Sequence, residues 1–204
     1  MRTTRSALIA AVAVLAGLSA TVTGCSSGDG SGEPAAASSG PPSGPACARL
    51  PAEGPGSPAA LATGPLGGAL ATSPLLTTLA AAVQDANLVD VLNSASGVTL
   101  LAPDDAAFDA VPPETLGPLL ADTPALTRLL GHHVLRGRLS PAQLAGVHTT
   151  LAGDRVTVTG SGERFTVSAD QTLPGTAAAT VVCGALQTAS ATVYVVDQVL
   201  EPAG

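Results

Sequence analysis

The stretch Thr99–Pro112, TLLAPDDAAFDAVP, constrains the fold of this chain more than any other. With Val98, the residues Thr99, Leu100 and Leu101 form a short, partly β-branched apolar run that predicts a buried strand. Pro103 stops it. Asp104 and Asp105 are then placed to cap a helix, their side-chain oxygens accepting from free backbone N–H groups and their charge lying at its positive end. Ala106–Ala110 makes a helical turn whose one large side chain, Phe108, must point inward, and Pro112 and Pro113 end it. Asp109 falls on the solvated face. On spacing alone this is an ordinary strand-to-helix connection.

What can pack around that corner is limited by composition. Hydrophobic residues make up 46% of the 204, yet there are only two Phe, one Tyr and no Trp, so Leu, Val and Ala must build the core. All eight basic residues are Arg, against fifteen acids. Removing Arg2 and Arg5 with a leader changes the balance from −7 to 6 − 15 = −9. Such a chain lacks both the basic footprint and the stacking rings that nucleic-acid binding needs, which excludes that partner.

The chain opens with an address. Arg2 and Arg5 precede ALIAAVAVLAGLSA, an apolar run too short for a membrane span, and residues 1–24 read as a secretory signal. It ends in Val22, Thr23, Gly24 and Cys25, similar to the bacterial lipobox, in which the cysteine after the cut carries diacylglycerol. The expectation is lipidation of Cys25, and the alternative is a plain signal peptide cut near a cysteine. Residues 25–46 then form a Gly/Ser/Pro-rich tether without apolar periodicity, expected to be disordered. About 20 such residues span roughly 25 Å end to end.

Cysteine arithmetic agrees with this address. Three thiols in an exported chain leave one over, and giving Cys25 to lipid leaves Cys47 and Cys183 as a pair. Their cross-link would contribute roughly 5 kcal/mol in the loop-entropy model. Two free buried thiols are the alternative.

Within the domain, residues 47–70 read as a loosely structured lead-in and 71–204 as the folded body. Ser73 and Pro74 suit a helix start, with Leu75, Leu76, Leu79, Ala82 and Val83 at helical spacing. A second helix, 87–92, turns Leu88, Val91 and Leu92 inward. Residues 114–120 and 124–130 give two more, and Ser140–Leu144 one further turn. From His148 the period becomes two: Val156 and Val158, then Phe165 and Val167, flank Gly160–Gly162 as a hairpin. Residues 169–179 read as an exposed loop, followed by strands over 180–183 and 186–189.

The chain closes on SATVYVVDQVLEP. Here the two ends of the body can be read together. LLAPDDAAFDAVP resembles the first conserved motif of fasciclin (FAS1) domains, usually F-A-P-T-x-x-A-F, through Ala102, Pro103, Asp104 and Phe108. The closing run resembles the second, V-x-x-I-D-x-V-L-x-P, through Asp197, Val199, Leu200 and Pro202. His133 with Val134 and Leu135 resembles the short Tyr-His strand between them, with His132 where the family has Tyr. Two motifs in order and near the right separation are far more specific than either alone. The resemblance covers about two thirds of the chain and is closest to secreted and lipid-anchored actinobacterial surface antigens.

It implies an α+β, fasciclin-like fold, several short helices packed on a strand-rich β-wedge. In this family the Asp matching Asp197 is structural, bonded to backbone or a polar partner, since a buried carboxylate survives only when paired. The Tyr-His region of some animal members is linked to integrin binding, but here the Tyr is absent and there is no Arg-Gly-Asp.

Other chemistry finds little support. Asp104, Asp105 and Asp109 match no calcium loop, and no H-E-x-x-H occurs. His132 and His133, adjacent on a strand, would face opposite sides, one buried and one exposed, and cannot chelate one ion. There is no G-x-S-x-G. Arg136 and Arg138 read as solvated loop charges, or more sharply as an anion contact. No catalytic, metal or cofactor-binding residue is expected.

The resemblance and the address together imply a non-enzymatic lipoprotein at the outer face of the plasma membrane, with shedding as a second fate. It would touch the membrane through its lipid and recognise an extracellular protein or matrix component in adhesion. The alternative is a lipid or glycolipid carrier of the envelope, using an apolar cleft between helices and sheet.

Overall fold

A computed structural model of the chain describes residues 40–173 and 175–202. The signal segment, Cys25 and the first part of the tether lie outside them, as does Pro174 in the 169–179 loop. Fifteen elements follow one another: α1 (Pro58–Thr63), α2 (Leu66–Thr72), α3 (Thr77–Asp85), α4 (Val89–Ser94), β1 (Val98–Pro103), α5 (Asp105–Asp109), α6 (Pro113–Ala121) and α7 (Thr123–His132), then β2 (Val134–Arg136), α8 (Pro141–Leu144), β3 (Gly146–Thr149), β4 (Arg155–Ser161), β5 (Arg164–Val167), β6 (Ala179–Gln187) and β7 (Ala191–Val196).

The strands form one sheet in the order β2-β1-β7-β6-β5-β4-β3. Only β1 and β7 run parallel, Leu100 opposite Val193 and Pro103 opposite Val196; the other pairs are antiparallel. A bridge between Leu135 and Thr150 brings the two ends together, so the sheet is nearly closed.

β1 and β7 are buried along their whole length. Their near-continuous apolar sequences are what strands covered on both faces require. Period-two alternation divides them between two cores. Val98, Leu100, Ala102, Val193 and Val195 face the helices, where they meet Leu70, Leu79, Val83, Phe108 and Leu129. Leu101, Tyr194 and Val196 face the other way, into the curl of the sheet, with Leu135, Val156, Val158, Phe165 and Val167. Phe165 and Tyr194 pack edge to face at 6.5 Å, and the Tyr194 hydroxyl donates to the Leu139 carbonyl at 3.1 Å. Burial pushes that hydroxyl's pKa up. The hairpin falls where the alternation puts it, and its turn needs glycine: Gly160 has φ +120° and a Cβ there would run into the Arg164 carbonyl.

The lead-in is folded rather than loose. Pro45–Arg49 is a 3₁₀ turn, α1 and α2 follow, and Leu50, Leu61, Leu66 and Leu70 are buried. The tether also ends earlier than its composition suggests, because Ser43 pairs with Gly184 and Ala46 is buried. Each large apolar side chain taken from water contributes about 1.5–3 kcal/mol, which outweighs the flexibility its Gly and Pro neighbours favour. Cys47 and Cys183 are joined in a disulfide with Cα atoms 5.0 Å apart across 136 residues. It fastens the start of the domain to β6.

The start of α3 moves because its cap comes from elsewhere in the chain. Ser73 ends α2 instead of starting α3, which begins at Thr77 without a local side-chain cap. The cap is Asp105, whose carboxylate accepts from Thr78 N at 2.7 Å and from the Thr77 hydroxyl at 2.8 Å. Burial raises this carboxyl's pKa, but those bonds outweigh it and hold it below the usual range. Asp104 does cap α5, accepting from Ala107 N at 2.9 Å, and Asp109 is exposed. The two strands expected over 180–189 are one bulged strand, β6.

Candidate functional site

The motif residues meet, and what they build is a joint. Ala102 and Pro103 end β1 beside β7, and the amide of Asp104 donates to the Val196 carbonyl at 3.0 Å. His133 completes the joint from the third direction. Its carbonyl accepts from Leu101 N at 2.9 Å, its Nδ1 donates to the Leu129 carbonyl at 2.8 Å, and its Nε2 accepts from Leu200 N at 3.0 Å. These partners require the neutral ring with its proton on Nδ1. Burial, the largest effect, pushes the His133 pKa down to about 4; the bond to Leu129 opposes this, and His132 adds to it. Phe108, Val199 and Leu200 are buried, while Pro202 is half-buried. Asp197 lies one residue past β7 and is half-buried rather than enclosed in a strand. Its Oδ1 accepts from Thr180 N at 2.6 Å, a bond to backbone that ties β7 to β6.

The histidine pair departs from the strand expectation. His132 is the last residue of α7 and His133 its C-cap, so the chain is still helical there and both rings are buried. His132 Nδ1 lies 2.8 Å from Asp154 Oδ2, off the line of a good hydrogen bond. The other Asp154 oxygen takes the Thr150 hydroxyl, closing the seam beside the Leu135–Thr150 bridge. The Thr150 hydroxyl thus turns to the carboxylate, and His132 Nε2 has no hydrogen-bond partner among the described residues, so the three groups do not line up as nucleophile, base and orienter. Arg138 is likewise structural: it donates to the carbonyls of Thr188 and Ala189 and to Gln187 Oε1, holding the turn between β6 and β7, while Arg136 is exposed. Among the described residues no three His, Cys, Asp or Glu side chains gather as a metal site would need.

The concave feature lies on the helix side of His133. A cavity of about 360 Å³ opens between α3, α4, α7 and the β1–β2 edge, within the roughly 300–1,000 Å³ of ligand pockets. Its walls are helical stripes. Leu79 and Val83 are one turn apart on α3; Leu88, Val91 and Leu92 repeat the spacing across the start of α4; Pro124, Thr127, Arg128 and Gly131 do so along α7. The floor is Leu100 and Val134, paired across β1 and β2, with His133 beside them. Val91 and Leu151 stand at the mouth, 51% and 38% exposed. Helical spacing places Leu88, Val91 and Leu92 inward; Val91 points instead to the rim, 51% exposed, with no element among the described residues covering it. Arg128 and Leu151 carried no signal in the sequence, since neither spacing nor motif links two segments that only the closure of the sheet brings together.

Comparison with known proteins identifies relatives of this chain. The Fasciclin domain family model matches residues 74–202. The immunogenic protein MPB70 of Mycobacterium bovis is 40% identical over 167 residues, covering 78% of this chain and 81% of that protein. The cell surface glycolipoprotein MPB83 of the same organism is 38% identical over 164 residues, covering 76% and 70%. Among solved structures, the FAS1 domain pair of the insect cell adhesion molecule fasciclin I matches 63% of this chain and 45% of that one, at 24% identity and a TM-score of 0.48. With more than half its length matched by the family model and both motifs joined at His133, this chain belongs to the fasciclin domain family.

Proposed function

We propose that this is an exported, lipid-anchored surface protein whose fasciclin domain acts without catalysis, as an adhesion or interaction module held off the membrane by its tether. The observation that carries this reading is the Cys47–Cys183 disulfide, formed where the tether enters the fold. A disulfide fits an oxidising compartment outside the cytoplasm, and Cys25 is the third cysteine of the sequence, at the lipobox-like site. The names of the relatives, an immunogenic protein and a cell surface glycolipoprotein, point to the same place. Intact mass of the protein from its native membrane, with alkylation in the absence of reductant, tests it: acyl mass on Cys25 and no alkylation of Cys47 or Cys183 are expected. A protein without acyl mass would make it a freely secreted factor.

The second reading, a lipid or glycolipid carrier, is favoured by the 360 Å³ cleft. A tightly filled interior would have counted against it. Non-protein mass released on denaturation would put it first.

A further inference from the structure

Charge is not spread evenly along this chain. Residues 133–168, from His133 through β5, carry four Arg and only two acids, Asp154 and Glu163, whereas the rest has four Arg against thirteen acids. Asp154 is turned to Thr150 and His132, and Glu163 stands at the tip of the β4–β5 hairpin. Of the four cations, Arg138 is engaged with the β6–β7 turn. Arg136, Arg155 and Arg164 are exposed and make no side-chain hydrogen bond or ion pair among the described residues. Two of these three share a row. Leu135 and Val156 face the curl of the sheet, so alternation turns Arg136 and Arg155 outward. Thr149 pairs with Arg155, and the antiparallel Leu135–Thr150 bridge puts Arg136 on its other side. Across three strands the row reads Arg136, Thr149, Arg155, with the two cationic residues about 10 Å apart at the usual strand spacing. Like charges brought together in this way repel, and an anionic surface laid over them would relieve it.

Apolar surface crosses the same row. Val147, Thr149 and Leu151 alternate with the half-buried His148 and the buried Thr150, so the three share the outward face of β3 and its continuation. The backbone of Leu151 still bonds to β2, its amide donating to the Val134 carbonyl at 2.8 Å. Of the three large hydrophobics exposed among the described residues, two therefore stand on this stripe, Val147 at 62% and Leu151 at 38%. A soluble polyanion would use the cations and leave the aliphatic groups in water. A bilayer of anionic lipid uses both, since its charge lies outermost with hydrocarbon beneath, and the long stems of arginine let the charged ends stay at head-group level. We propose that the outward face of the β2–β3–β4 seam is a docking surface for an anionic phospholipid bilayer, with Val147 and Leu151 pressed into the head-group layer and Arg136 and Arg155 on either side against its phosphates. The surface goes beyond the adhesion reading and does not need the anchor. Where the anchor holds, the tether sets the reach of the domain and this face its orientation.

The test is arginine footprinting of the protein isolated from its native membrane and returned to vesicles of phosphatidylcholine alone or with phosphatidylglycerol. Phenylglyoxal modification is read at each arginine by peptide mass spectrometry. Arg164 is the internal control, because it lies opposite Ser161 at the far end of β4, about 20 Å from Arg155 at the usual rise per residue. Arg136 and Arg155 should react about fivefold more slowly on the anionic vesicles, the equivalent of about 1 kcal/mol for a cation at such a surface, while Arg164 keeps its rate. In 0.5 M salt the difference should disappear, as expected of a screened contact at roughly that ionic strength. Val147→Asp, at a position open enough to leave folding undisturbed, should return both arginines to their rates on phosphatidylcholine. Equal rates on the two vesicles, or Arg164 protected as much as the other two, overturns the proposal. Protection that heparin reproduces without vesicles and that ignores Val147→Asp also overturns it, and assigns the face to a soluble polyanion. The acyl mass of Cys25 is read in the same experiment, so loss of the anchor and loss of the docking surface are seen separately.

Discussion

The two faces of the central strands are filled by different means. Toward the curl of the sheet, Phe165 and Tyr194 meet edge to face, and the gap they line with Val181 holds only about 10 Å³. Toward the helices the core is Leu, Val and Ala with Phe108 as its single aromatic ring, and about 360 Å³ stays open beside α3 and α7. The same strands, β1 and β7, serve both sides, so backbone geometry does not explain the contrast. Elsewhere on the helix side, the gap lined by Leu61, Leu70, Leu76 and Val193 also holds only about 10 Å³, so the open space is local to α3, α4 and α7. With two Phe and one Tyr in the whole chain, two of the three rings lie on the closed side. A protein so poor in aromatics can keep one interior sealed and hold another open.

Truncation on each side should break or confirm this contrast. Phe165→Ala is expected to lower stability by about 3–5 kcal/mol, since a sealed core cannot collapse around the loss. Leu79→Ala, beside space that already exists, should fall near the low end of the roughly 2–5 kcal/mol range for such truncations. Urea unfolding of the two variants compares them directly. A Leu79→Ala cost equal to that of Phe165→Ala would mean the helix side is as tightly packed as the other.

The joint between the two sides should respond to acid. His133 takes up a proton near pH 6.5 when unfolded but only near 4 when folded, so the unfolded chain holds more protons between those values. Its contribution is therefore complete above about pH 6.5 and declines as pH falls toward 4, by about 3 kcal/mol in all. Protonation would also take away the lone pair that accepts from Leu200 N. Denaturant midpoints between pH 7 and pH 4 measure the loss, and His133→Gln should flatten that profile. A profile equally steep in the variant would assign the acid response to other groups.

Smaller effects sharpen the same picture. Asp197→Ala leaves Thr180 N without its acceptor and should cost about 1–3 kcal/mol, with surface display intact wherever folding permits. A loss of function with unchanged melting would contradict its structural role. Asp105→Ala removes the cap of α3 and should cost about 1 kcal/mol by thermal unfolding. Val91→Asp, at the rim of the open side, should leave stability within about 0.5 kcal/mol.

What could be read in the sequence was local. The strand and Asp104-capped turn at 98–109, the hairpin around Gly160 and the closing run before Asp197 all announce themselves through neighbours within a few residues. The disulfide was legible by elimination among three cysteines. What escaped was set across the fold. Asp105 caps a helix 27 residues earlier in the chain. Asp154 meets His132 only because the sheet closes, and His132 remains helical because α7 runs on through the pair. The lead-in looked loose because Gly and Pro dominate it, yet four leucines and a disulfide fasten it. The cleft was the least legible feature. Its stripes on α3, α4 and α7 have the same spacing as core stripes, and only the placement of the three helices leaves them facing a space.

The most direct test of the two-sided account is methyl NMR of the Leu and Val side chains under xenon pressure, since xenon enters apolar cavities without altering charge. The account predicts saturable shifts at Leu79, Val83, Leu130 and Val134, with Val156, Val158 and Val167 unmoved. Equal shifts on both sides, or none beside the cleft, would contradict it.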